Sequence, residues 1–360
     1  MRLREVLREA WRDISTGASW AFTWALVLGL LLAGLVGVRA AELVADVRAA
    51  TDYVASGAAT TVQEARGRID GRTCDAIADS EGVVAAGALR RLEDGTVPAA
   101  LPGSALPTYE VTPGLLAVLG EPQLTGHPGV VLSPTVRESL GLAAARGTAL
   151  ELADGGSVPV AGAYAYPDDG RDPDLEYAVL APSVDDARPY DACWVTVWPQ
   201  RDDTVSLLRR SVLTSTGAED EDRPTVGQLN PRLGAAFTPS GGTGQATLLA
   251  AAGAVGVLVG GAAVVRRRLV LASDLHIGTP RCAQVLGVVL QHVIWALTSA
   301  LASTAVAVVI VRMLPPEDAW PILHAAGGIA AVGSAAGVLG GAAAAGCVRE
   351  RALHRYFRTR

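Results

Sequence analysis

Apolar positions along this chain gather into four stretches without a formal charge: residues 14–38, 246–265, 282–311 and 319–348. Crossing the hydrocarbon of a bilayer takes roughly 20 helical residues at about 1.5 Å rise, so each stretch predicts a transmembrane helix. A cleaved signal peptide is the rival reading of the first, because Val38-Arg39-Ala40 offers small residues for cleavage. Its apolar run exceeds a usual signal core, however, and Glu5, Glu9 and Asp13 precede it, which favours a retained anchor. In front of it, residues 1–13 carry another period. Leu3, Val6, Leu7, Ala10, Trp11 and Ile14 recur at helical spacing with arginines opposite, the pattern of an amphipathic helix lying in the headgroup layer.

Between the first and second stretches, residues 39–245 read as a domain of their own with mixed periodicity. Residues 40–69 look helical and extend the first span as a stalk. A short helix over 74–79 and a strand over 82–90 follow. Gly129-Val130-Val131-Leu132-Ser133 reads as a strand ending at a helix start, with Ser133 as N-cap and Pro134 at the first position of a helix to Leu142. Residues 148–152 and 158–163 alternate around Asp154-Gly155-Gly156, a hairpin signal. Residues 216–245, rich in Gly, Pro, Asp and Glu, read as a partly irregular linker. The expected fold is membrane α-helical, four transmembrane helices in a 1+3 arrangement, with a large α+β extracytoplasmic domain between helices 1 and 2.

Charge sets the expected orientation. All 30 basic residues are arginine, a bias expected of GC-rich coding as in an actinobacterium. The leader, the segment 266–281 and the tail 349–360 lie on one face of a four-span protein and hold 13 arginines against five acids. The short loop 312–318 offers only Arg312, with Glu317 and Asp318. By the positive-inside rule both termini are cytoplasmic in the plasma membrane and residues 39–245 are extracellular. That domain holds 16 arginines and 29 acids, a balance that argues against nucleic acid as a partner and leaves membrane lipid around the spans.

The chemistry-bearing residues are few. Cys74 and Cys193 fall in the outer domain, where oxidation is permitted, and are expected to pair; two buried free thiols are the alternative. Cys282 and Cys347 read as ordinary packing residues. Gly333, Gly337 and Gly341 form two overlapping GxxxG units, and Gly256 and Gly260 supply another, so these helices are candidates for close packing; chance repeats in so Ala/Gly-rich a chain are the alternative. Gln291 and His292 in the third span suggest interhelical hydrogen bonding rather than a functional site. With no lysine there is no P-loop, so Gly241-Gly242-Thr243-Gly244 reads as a flexible joint. No GxSxG elbow or HExxH helix occurs, the crowded Asp168, Asp169, Asp172 and Asp174 do not match a calcium loop, and no cysteine or histidine spacing suggests a metal site. The expectation is a chain that is not an enzyme and holds no cofactor.

The one-plus-three layout and three local sequences resemble the FtsX-like, MacB-type ABC transporter permeases. These are the leader Met1-Arg2-Leu3-Arg4-Glu5-Val6-Leu7-Arg8-Glu9-Ala10, the stretch "GVVLSPTVRESLGL…GTALELADGGSVPVAGA", and "RRRLVLASDLHIGTPRCAQV" after the second span. The resemblance implies a permease that dimerises with a second chain, identical or related, and binds a cytoplasmic ABC ATPase dimer, which carries the ATP and magnesium. It also implies that the helix docking on the ATPase lies at residues 269–278, between Leu269 and Gly278. Leu271, Leu275 and Gly278 share one helical face there, with Asp274 and Arg281 nearby for polar contacts. Val270 and Leu275 stand where the family carries an acid and a basic residue, which points to a specialised ATPase. A basic loop hugging the membrane without a partner is the alternative. Export of a peptide, antibiotic or lipid, control of a cell-wall hydrolase, and an ATPase-independent receptor all remain open.

Overall fold

The computed structural model describes residues 3–142, 148–183, 188–214, 223–239, 241–312 and 316–358. They form two compact units, one from Met1–Arg48 with Pro239–Arg360 and one from Ala49–Thr238.

The first unit is helical. Helix α1 (Leu3–Ser15) buries Val6 and Ala10 of the predicted stripe. It is followed by α2 (Ala21–Ala55), α7 (Gln245–His276), α8 (Arg281–Val311) and α9 (Pro316–Gly346), with a short α10 (Leu353–Arg358) at the end. Among the described residues four helices are long and apolar enough to cross a membrane: α2, α7, α8 and α9 from Ala319. Their surfaces support that reading. Phe22 is 82 % exposed and Leu301 72 %, with Leu258 and Leu339 similarly bare. Large apolar side chains displayed in such number along long helices fit hydrocarbon surroundings and not water. Within the bundle Leu28, Leu32, Val36, Trp295 and Ile329 pack together.

Two boundaries differ from expectation. The apolar run 14–38 is not one helix: α1 continues to Ser15, the chain turns through Gly17 (φ 78°) and Trp20 (φ 55°), and α2 starts at Ala21. The second helix does not stop at residue 265 but runs unbroken through the arginines to His276, so the segment 266–276 is its last three turns. Gly278, at φ 97°, then turns the chain into α8.

Among the described residues the second unit is a nine-stranded mixed sheet with short helices on both faces. In chain order it comprises β1 (Thr60–Ile69), α3 (Gly71–Ala76), β2 (Val83–Arg91), β3 (Thr108–Val111), α4 (Pro113–Val118), β4 (Val130–Leu132), α5 (Pro134–Ser139), β5 (Ala149–Glu151), β6 (Ser157–Ala163), β7 (Val179–Pro182), β8 (Tyr190–Val197), α6 (Thr204–Leu208) and β9 (Thr225–Gln228). The strand order is β5-β6-β4-β7-β3-β2-β8-β1-β9, with β3/β7 and β4/β6 parallel and the other pairs antiparallel. Strands β2 and β8 are buried almost throughout, as centre strands covered on both faces must be. One face packs Leu89, Tyr109, Leu115, Leu116 and Trp194; the other packs Cys74, Ile77, Tyr190, Val195 and Leu208.

The predicted stalk is corrected here. Helix α2 ends at Ala55 in a Schellman-type turn, with Ala58 N–H on the Tyr53 carbonyl and Gly57 at φ 78°. Residues 60–69 are strand β1, held between β8 and β9. The linker also contains a strand, since residues 225–228 form β9; residues 216–222 and 240 of it lie outside the described residues. The cap at Ser133 forms as the sequence implies, its Oγ accepting from the Val136 N–H at 3.3 Å. The hairpin closes on Asp154, whose Oδ1 accepts from the Gly156 N–H at 2.8 Å.

Candidate functional site

The three consecutive arginines near the end of α7 point in different directions, because each helical residue advances about 100°. Each meets a different element. The Arg266 guanidinium lies 4.0 Å from the ring centroid of Trp20, in the turn before α2. Arg268 lies 5.2 Å over Tyr356 of α10. Between them Arg267 donates to Asp13 Oδ2 at 2.7 Å and to Gln291 Oε1 at 2.5 Å, and Gln291 Nε2 closes the ring by donating to the same Asp13 oxygen at 3.0 Å. This triad ties α1, α7 and α8 at one point. Both charged side chains are mostly buried, so losing one partner would leave the other desolvated and unpaired. Beside it a cavity of about 230 Å³ is lined by Glu9, Asp13, Arg267, Asp274, Gln284 and Gln291.

The docking residues read from the sequence spread over the end of α7, the turn after it and the start of α8. Leu271 is buried, packed with Ala272, Val288 and Val348, and Leu275 joins the same cluster. Leu269 is half-buried, Asp274 lines the cavity, Gly278 ends the helix and Arg281 is exposed at the start of α8. The exposed stripe is Arg266, Val270, Ser273 and Ile277, with Val270 53 % and Ile277 79 % exposed. It is one residue out of phase with Leu271–Leu275–Gly278, a rotation of about 100°.

The glycines come together. A Cβ on Gly256 would lie 2.1 Å from the Gly333 carbonyl oxygen, and one on Gly260 would lie 2.0 Å from that of Gly337. Helices α7 and α9 thus meet backbone to backbone, as the small-residue stripes allow. Gly341 makes room for His292, whose Nε2 is 3.2 Å from the Gly260 carbonyl and whose Nδ1 is 2.9 Å from that of Val288. Gln291 and His292 therefore both serve contacts between helices. The joint Gly241-Gly242-Thr243-Gly244 is held as well, Thr243 N–H donating to Glu42 Oε1 at 2.8 Å.

In the sheet unit Cys74 and Cys193 are disulfide-bonded, fastening α3 to β8 with 5.9 Å between their Cα atoms. The aspartate-rich loop is organised by Arg171, which grips both oxygens of Asp169 at 2.9 and 2.7 Å. That grip holds the Asp169 carboxyl below the usual range. No group of acids, histidines and cysteines suited to a metal ion occurs among the described residues.

Sequence reading missed the Asp13–Arg267–Gln291 triad. Its members were individually conspicuous: an acid in a basic leader, an arginine deep in a basic run and an amide in an apolar span. Nothing in a linear pattern couples positions 254 and 278 residues apart.

No protein-family model matches this sequence, and no curated protein matches it. Among solved structures the chain is similar to the crystal structure of the periplasmic region of MacB from Actinobacillus actinomycetemcomitans. The identity is 8 % over 44 % of this chain and 84 % of that one, with a TM-score of 0.32. So loose a likeness fixes neither fold nor activity.

Proposed function

We propose that this chain is the permease subunit of an ABC transporter, with its arginine-rich end in the cytoplasm and the sheet unit outside. The observation that carries the reading is the end of α7. There an exposed stripe, Arg266–Val270–Ser273–Ile277, lies on the same helical turns as Arg267, which is bonded to α1 and α8. A push on that stripe reaches three helices through half-buried, charge-assisted hydrogen bonds instead of dissipating in a loop. The partner is a separate ATPase dimer that binds ATP and magnesium, and a second permease chain completes the assembly. The bundle interior is dominated by Leu, Ala, Ile and Trp. This favours transmission of movement to the outer domain over passage through a pore, in export or handling of a peptide, antibiotic or lipid.

Control of a cell-wall hydrolase by the same movements is a second reading that the apolar bundle interior equally favours. The test is copurification of the full chain from its native membrane. An ATPase is expected to accompany it and to be lost with Ile277→Asp or Val270→Asp, two exposed sites where a charge leaves packing intact. A chain that arrives without an ATPase, or keeps its ATPase in both variants, overturns the reading. A secreted hydrolase captured along with the ATPase selects the second.

A further inference from the structure

One face of the sheet carries a cavity that force transmission does not explain. It measures about 200 Å³ and opens beside β9. Its walls are aromatic: Tyr109 from β3, Trp194 from β8 and Tyr166 from the segment after β6. Its mouth carries three exposed carboxylates, Glu64 on β1 and Asp172 and Asp174 in the loop before β7.

Two aromatic residues of this cavity carry polar atoms. The Tyr109 side chain is 4 % exposed and Trp194 6 %, yet neither the hydroxyl nor the indole N–H has a hydrogen-bond partner among the described residues. Neither atom is among the fully buried unpaired ones, so both reach the cavity's solvent and are available to hydrogen-bond a guest. Burial, reinforced by Asp174, raises the Tyr109 pKa, so its hydroxyl stays neutral. Glu64, Asp172 and Asp174 make no ion pair among the described residues. Arg171 is engaged by Asp169, and Arg91, opposite Tyr109 in the β2–β3 ladder, is exposed.

Aromatic faces and carboxylates share one preference, for a cation. Arg171 already shows it at the rim, its guanidinium 5.0 Å from the Tyr166 ring centroid. Size narrows the guest. An apolar cavity of about 150 Å³ holds benzene, so this one takes a single large side chain and not a lipid tail. Val62, Leu89 and Leu175 line the interior and suit a methylene stem. Strand β9 ends the sheet order, so among the described residues one side of its backbone is open for an extended segment to run along.

We propose that this cavity binds a cationic group on an aliphatic stem, the arginine or lysine side chain of a peptide laid beside β9. The site stands whether or not the chain couples to an ATPase.

The test uses the full chain in detergent micelles and isothermal titration with three probes. These are acetyl-Ala-Arg-Ala-amide, the same tripeptide with neutral citrulline for arginine, and agmatine as a free alkylguanidine. The arginine peptide is expected to bind at least about tenfold more tightly than the citrulline peptide, the scale of one charge-assisted contact. Glu64→Gln with Asp174→Asn should cost a further factor of about ten, Tyr109→Phe a few-fold, and Glu138→Gln, an exposed acid on α5, nothing. Equal binding of the arginine and citrulline peptides, or of the acid variants and the parent, overturns the site. Agmatine binding as tightly as the arginine peptide overturns the peptide assignment.

Discussion

Replacing Gly260 with alanine sets two effects against each other. In a helix interior alanine is favoured over glycine by about 0.8–1 kcal/mol. The added Cβ, however, would lie 2.0 Å from the Gly337 carbonyl oxygen and 3.0 Å from the Gly341 nitrogen. Ordinary contact begins at 3.4 Å, so α7 and α9 must part by about 1.4 Å at this point. Overpacking of this kind costs roughly 1–3 kcal/mol. Opening the rest of the crossing by even ~0.5–1 Å forfeits a quarter to a half of each dispersion contact. The steric cost, with the forfeited dispersion, therefore exceeds the propensity gain, and a net loss of about 1–2 kcal/mol is expected. Gly261 provides the control: it is the next residue on the same helix, and its Cβ would meet nothing within 4 Å. Unfolding of the purified full chain in mixed micelles, titrated with a denaturing detergent and followed by tryptophan fluorescence, compares the two. Gly261→Ala should match or exceed the parent while Gly260→Ala falls below it. Equal stability of the two variants would refute the backbone-to-backbone crossing.

Three further outcomes follow from other parts of the molecule. In a double-mutant cycle of Asp13→Asn and Arg267→Gln, measured by the same unfolding titration, the coupling should be about 1–3 kcal/mol; additive effects would mean that the triad carries no energy. Cys74→Ser should destabilise the sheet unit by up to about 5 kcal/mol on the chain-entropy model, since the bond closes a segment with a sequence separation of 119. A melt unchanged by this variant, or by reductant in the parent, would contradict it. Asp169 has a depressed pKa, caused first by its hydrogen bonds from Arg171. Its stabilisation is full above the unfolded carboxylate value near 3.9 and disappears as pH falls through the lower folded value. Asp169→Asn should flatten the acid limb of the stability profile, and an unaltered slope between about pH 4 and 2 would count against the pair.

What the sequence made legible and what it hid divide along physical lines. The four apolar helices were readable because hydrocarbon demands length and lack of charge, both local properties. The Ser133 cap and the Asp154-Gly155-Gly156 turn were readable because their hydrogen bonds close within three residues. Strand β1 was misread as helix because Val62, Ala65 and Ile69 also fit a helical period; pairing with β8 and β9 decides it, and those partners are more than a hundred residues away. Strand β9 is four residues in a Gly- and Pro-rich stretch and exists only through that pairing. Which side of residues 269–277 turns inward was not legible because the segment is apolar on two sides, and the neighbours Val288 and Val348 select the buried one. The wall of the aromatic cavity draws on five strands and the segment between β6 and β7, a juxtaposition that no periodicity announces.

Strands β1 and β9 are antiparallel neighbours, with Thr61 opposite Gln228 and the Leu229 N–H donating to the Thr60 carbonyl at 3.0 Å. The sheet unit is therefore reached and left at one corner, by two arms that emerge side by side. If the arms are drawn in concert, no bond between β1 and β9 is loaded. If they are drawn apart, the load falls first on the ties between them, the Tyr53 hydroxyl donating to the Gly234 carbonyl and the Asn230 amide to the Ser56 carbonyl, and then on the ladder from its end. The corner thus responds to the difference between its two arms and not to their common motion.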